Sequence, residues 1–169
     1  MALLEILEYP DGFLSKPVPA VTEINGDLQK TIDDMAQTMY HAPGVGLAAS
    51  QVGINQCLLV YDVSPRDDKR ELHVLINPRI LCQEGEVVSE NEGCLSVPDY
   101  RSDVVRFSQI QVEGLDRDGN PLSIDAEGYL AIVLQHEIDH LQGILFIDRI
   151  SILKRNLYKK RIKKRLKQT

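Results

Sequence analysis

The chain has 169 residues, 43% of them hydrophobic and 26% charged, with three cysteines, no tryptophan and a formal net charge of −6. A chain of this length buries roughly 68–70% of its unfolded surface, enough for one domain with its own core and no disulfide framework. Collagen-like and disordered compositions are excluded, and no apolar run approaches the roughly 20 residues that span a bilayer.

In chain order, the opening segment MALLEILEYP carries acids where a secretory or transit peptide needs Lys or Arg, so a soluble, cytoplasmic protein is expected. Leu28, Ile32, Met35 and Met39 recur at helical spacing behind a potential cap at Asn25, which predicts an amphipathic helix ending before Pro43. The runs CLLVYDV and HVLINPRIL read as strands, and VVRFSQIQVEGLDRDGNPLSIDA reads as a hairpin turning at Asp118-Gly119. Asp125 can cap a helix through EGYLAIVLQHEIDHLQG, which Gly143 stops, and Ser151 opens a last helix. In that last helix Ile152, Leu153, Leu157, Tyr158, Ile162 and Leu166 are expected to form an apolar side. Few helices separated by antiparallel strands make the class α+β, with strands packed around a central helix. Residues 1–150 are expected to form the body of the domain and 151–169 a basic C-terminal helix or tail of the same domain.

The charge is divided unevenly. Residues 1–148 carry nine Lys and Arg against 25 Asp and Glu, net −16, whereas 149–169 carry ten basic residues and no acid, net +10. Such a tail fits either a polyanionic partner or a solvated face.

His136-Glu137-Ile138-Asp139-His140 is an HExxH motif. Residues four apart share a helix face, so both imidazoles can reach one metal ion with Glu137 beside them, and Val133, Leu134, Ile138 and Leu141 would bury that helix. Two histidines leave a catalytic metal one protein ligand short. The position where a third histidine would continue the pattern is Phe146, and no side-chain carboxylate follows Asp148, so the third ligand lies upstream. Cys94 is the best candidate, because Gly93 before it and Ser96 and Pro98 after it let the chain turn and expose the sulfur. Cys57 and Cys82 lie within apolar runs and read as small core residues. A Cys and two His with an open fourth position is a catalytic arrangement.

Gly44-Val45-Gly46-Leu47-Ala48-Ala49-Ser50-Gln51 matches a loose dinucleotide-binding pattern, but it follows a helix and Pro43 where that fingerprint follows a strand. It reads either as a place where an extended peptide backbone approaches the chain or as plain tight packing.

In their order and spacing GVGLAASQ, EGCLSVP and QHEIDHLQG resemble the three signature motifs of the peptide deformylase family, and the likeness runs through ILEYPDGFL and LDRDGNP to cover essentially the whole chain. Departures are small: Pro43 precedes the first motif where some relatives carry an acid, and Val97 stands for a commoner isoleucine. The resemblance implies an enzyme that removes the formyl group from the N-formylmethionine of nascent polypeptides and releases formate. It implies metal ligation by Cys94, His136 and His140, and proton transfer by Glu137. The side-chain amide of Gln51 and the backbone N–H of Leu95 would serve as oxyanion donors, and Val45, Gly46 and Gly93 would pair with substrate backbone. Arg101 matches a basic residue at the cleft, and Val133 with His136 and the residues near Gly44 would line a methionine pocket. Family resemblance also implies Fe²⁺, with Ni²⁺, Co²⁺ or Zn²⁺ as substitutes. The expected partners are N-formylmethionyl nascent peptides and, through the tail, the ribosome, with neither DNA nor a membrane. The alternative, a zinc endopeptidase using the same helix, would need a His or Glu ligand after His140, and none is present.

Overall fold

The computed structural model describes residues 1–169. Helix α1 (Gly26–His41) starts where the Asn25 side chain accepts a hydrogen bond from the Leu28 N–H at 3.0 Å, satisfying one of the amides a helix start leaves open. Strand β1 (Gly46–Ala48) runs through a 3₁₀ turn (Ala49–Val52) to β2 (Leu58–Tyr61) and β3 (His73–Glu84). A hairpin of β4 (Val87–Cys94) and β5 (Val97–Arg106) is followed by a second of β6 (Gln109–Leu115) and β7 (Pro121–Glu127). Helices α2 (Gly128–Leu141) and α3 (Ile152–Lys167) complete the chain.

Every strand pair is antiparallel, in one sheet of order β1-β2-β3-β6-β7 and a separate β4-β5 ribbon, so the expected α+β class holds. Side chains alternate across a strand, and this sheet buries both of its faces. Leu47, Leu58, Val60 and Ile76 pack with Leu28, Ile32, Met35 and Met39 of α1. Their neighbours Ala48, Leu59, Tyr61 and Leu75 pack with Ala131, Val133, Leu134, Ile138 and Leu141 of α2 on the opposite face. Helix α2 is thus fixed against the sheet centre while its other side meets the β4-β5 ribbon.

Three expectations are corrected. Asp125 is not the α2 cap: it pairs with Gln111 inside β7, whose ladder runs on to Glu127, and the helix begins at Gly128 with φ 61° and no side-chain cap. Cys82 is exposed, because it lies past a bulge in β3 where residues 81–84 all face solvent; Cys57 is half-buried against the α2-side core. In α3 only Tyr158 and Ile162 are buried, with Leu14, Val97, Val104 and Phe146, while Ile152, Leu153, Leu157 and Leu166 are 53–71% exposed. The six apolar positions do not form one stripe, and two residues anchor the helix.

Candidate metal centre

Two elements converge to build the site. Helix α2 supplies His136 and His140, one turn apart and held in the core by Val133, Leu134 and Ile138. The β4-β5 ribbon ends in a two-residue turn, Leu95-Ser96, with Cys94 paired to Val97 at its base, and this tip lays the thiol against the helix. Cys94 Sγ lies 3.2 Å from His140 Nε2, which lies 3.2 Å from His136 Nε2, and the donor atoms of all three residues fall within 4.8 Å of one another. A thiolate and two imidazoles aimed at one point are a donor set suited to a divalent transition metal.

The surroundings fix that set. Gln51, in the 3₁₀ turn after β1, accepts from the Ala48 N–H at 3.0 Å through Oε1, which turns its Nε2 towards Ser96 Oγ at 3.2 Å and Cys94 Sγ at 3.6 Å. The Ser96 N–H donates to the sulfur at 3.4 Å. His136 Nδ1 lies 2.7 Å from Glu92 Oε1, so its Nε2 is the nitrogen left for a metal.

Glu137 lines the same cleft as Cys94 and His136, is 5% exposed, and its Oε2 is a buried acceptor with no hydrogen-bond partner in the protein. Burial pushes its carboxyl up to about 7, into the range useful to a group that exchanges protons near neutrality. Burial outweighs the charges of Arg106 and His136 there. At His136 burial is itself outweighed: Cys94 and Glu92 raise its pKa well above the usual value. Burial and the neighbouring His136 instead lower His140, keeping it neutral.

A Cβ added to Gly46 would lie 2.7 Å from Glu137 Oε1 and 2.8 Å from its Cγ, so the glycine is what lets the carboxylate approach β1. One at Gly44 would meet Leu95 Cδ1 at 3.0 Å. Tight packing therefore accounts for part of the GVG sequence. Since β1 is an edge strand of the sheet, its other side is open to a cleft of about 840 Å³.

That cleft is lined by Val45, Gly46, Gln51, Gly93, Cys94, Leu95, Arg101, Val133, His136 and Glu137, which brings the expected site residues together except His140, buried behind His136. The Val45 carbonyl already accepts from the Asp62 N–H at 2.9 Å, so that acceptor is taken by the residue following β2. Exposed Arg101 donates to the Asn91 carbonyl at 3.1 Å and lies so close over Gly93 that a Cβ there would come within 3.1 Å of its Cζ. Arg66, Tyr100, Tyr129 and Ile132 also line the cleft, and sequence reasoning missed them. It also gave no role to Glu92, Arg106 and Asp139, whose signal was an acid next to Gly93-Cys94, an arginine at an inward position of β5 and an acid inside the HExxH motif.

The sequence profile of the polypeptide deformylase family matches residues 3–156. The chain is 55% identical over 168 residues to the peptide deformylase of Desulfosudis oleivorans, covering 99% of this chain and 97% of the relative. A crystal structure of a peptide deformylase from Legionella pneumophila superposes with a TM-score of 0.90 at 45% identity, over 99% and 97% of the two chains. One from Ehrlichia chaffeensis in complex with actinonin gives 0.90 at 39% identity over 98% of each. With this likeness spanning fold, motifs and site, the chain belongs to the polypeptide deformylase family.

Proposed function

We propose that this enzyme hydrolyses the N-formyl group of N-formylmethionyl peptides at the Cys94-His136-His140 centre, releasing formate. The convergence of those three donors beside a buried carboxylate, at the base of an open cleft, is the observation that supports the reading. The donor set suits Fe²⁺ and accommodates Ni²⁺, Co²⁺ or Zn²⁺. When bound, such an ion brings the pKa of water from 15.7 to about 7 and polarises a carbonyl.

The remaining work falls to side chains and backbone. Glu137 takes the proton from the attacking water and returns it to the departing amine, a role its burial favours. Gln51 Nε2 and the Leu95 N–H donate to the formyl oxygen as charge develops there, each donor contributing about 2.7–4 kcal/mol in comparable sites. Gly46, on the open edge of β1, pairs with substrate backbone from one side and Gly93 from the other, while Val45, whose carbonyl is held by the Asp62 N–H, lines the cleft beside them. Val133 and His136 line the pocket for the unbranched methionine side chain, and Arg101 stands at the mouth. Residues 1–150 carry these groups and 151–169 complete the same domain through Tyr158 and Ile162. In the cytoplasm, the basic face of α3 would dock on ribosomal RNA phosphates near emerging substrates.

The test is product analysis with formyl-Met-Ala-Ser and its acetyl counterpart. The reading requires one formate per formylated peptide and no reaction of the acetylated one. Cleavage at an internal peptide bond would overturn it in favour of an endopeptidase.

A further inference from the structure

Behind the ligands lies a chain of buried charges that none of the steps above uses. Glu92, which accepts from His136, is 8% exposed, Arg106 is 4% and Asp139 is 6%. Arg106 spans both acids: Nε donates to Glu92 Oε2 at 3.2 Å, Nη2 donates to Glu92 Oε1, and Nη1 donates to Asp139 Oδ2 at 2.8 Å. Asp139 is clamped from its far side by Arg149, with Nε 2.5 Å from Oδ2 and Nη2 2.7 Å from Oδ1. Arg149 follows the 3₁₀ turn Phe146–Asp148 and precedes the Ser151 cap of α3, with a side chain 42% exposed.

Resting on the reading that His136 holds the metal, we propose that Arg149 is a positioning residue for the metal centre, acting through Asp139, Arg106 and Glu92. Two carboxylates face two guanidiniums in this relay. Removing Arg149 leaves Arg106 alone between two acids, and a buried carboxylate without its partner is costly. Arg106 is then drawn towards Asp139, and Glu92 loses part of the grip that holds it in line with His136 Nδ1. A metal-ligating histidine keeps its orientation through such an outer partner. Because Arg149 is partly exposed, water screens its charge and its removal acts through geometry more than through the field. A lysine would restore charge but not the two-pronged grip on both carboxylate oxygens.

The test uses the full-length protein loaded with Co²⁺, whose visible absorption reports ligand geometry, and follows cobalt release to excess chelator. Losing an outer-sphere partner of a ligand typically costs 10–100-fold, and a residue three links further out should transmit part of it, accelerating release in Arg149→Ala by about 3–10-fold. The Arg149→Ala absorption band should change shape, and Arg149→Lys should fall between variant and parent. Ile32→Val, a core change on the buried side of α1, serves as a matched destabilised control and should release cobalt at the parent rate. A release rate for Arg149→Ala less than about threefold above the parent with an unchanged band, slower release, or equal acceleration in Ile32→Val would overturn the proposal. If the parent takes up no cobalt, or Cys94→Ala takes up as much with the same spectrum, the ligand assignment itself has failed and the proposal falls with it.

Discussion

Helices α2 and α3 are close in length and near in sequence, yet ten of the 14 residues of α2 are buried against two of the 16 of α3. Helix α2 carries five polar or charged side chains into the interior, and most are matched: Gln135 bonds the Phe107 backbone at both its carbonyl and N–H, His136 meets Glu92, and Asp139 meets Arg106 and Arg149. Glu137 Oε2 and His140 Nδ1 are left without hydrogen-bond partners in the protein. Helix α3 instead leaves its Lys and Arg side chains largely in water and is anchored by Tyr158 and Ile162. The contrast teaches that the reactive part of this protein depends on burying polar groups with chosen partners, whereas its most charged part keeps most of them in water, with Arg161 and Arg165 alone reaching Asp99.

The largest effect should come from Glu137→Gln, which removes proton transfer and should lower formate release by about 10²–10⁴-fold with metal content unchanged. Deformylation near the parent rate would break the distinction drawn for α2. Next is Leu134→Ala, a fully buried α2 residue, which should cost about 2–5 kcal/mol by denaturant midpoint, as core truncations do.

Acid should reach a third region. Asp62 is buried, which alone would raise its pKa, but hydrogen bonds from Ser64, Tyr40 and the Glu71 N–H hold it at about 2. A carboxylate depressed in the folded state stabilises above its unfolded pKa, about 3.9, and loses that contribution as pH falls further. The stability gap between parent and Asp62→Asn should therefore close between about pH 5 and about pH 1. A constant gap would show that the charge plays no part.

Smaller effects belong to α3. Replacing Lys159, Lys160, Lys163 and Lys164 by Gln should leave turnover of short peptides within about twofold, since surface changes rarely alter the core. The same variant should show weaker ribosome co-sedimentation and a shallower salt dependence, by roughly 0.7–0.9 in the log–log slope for each phosphate no longer neutralised. Unchanged co-sedimentation would leave α3 as a solvated face. Leu157→Ser should be the mildest, within about 0.5 kcal/mol, because its side chain is already exposed.

Local signals made much of this legible in the sequence. The Asn25 cap, the Gly143 stop, the Asp118-Gly119 turn and the HExxH spacing depend on residues close along the chain, and each stands where it was expected. Misreadings arose where distant pairing decides. Asp125 was claimed by the β6-β7 ladder, Cys82 lies on a part of β3 that no helix buries, and the α3 apolar residues point in several directions because only two find a core. The Glu92-Arg106-Asp139-Arg149 relay joins charges on two strands to α2 and to the segment ahead of α3, and no spacing rule reveals such an arrangement.

The most direct test of the central claim, that α2 and the Cys94 turn together hold a catalytic metal, is formate release from a formyl-Met peptide by freshly purified anaerobic protein, with metal content determined on the same sample. The account predicts turnover that rises in proportion to bound metal up to one equivalent, is lost with chelation, and is absent together with the metal in Cys94→Ala. Full activity in metal-free protein, or a Cys94→Ala variant that keeps both metal and turnover, would contradict it.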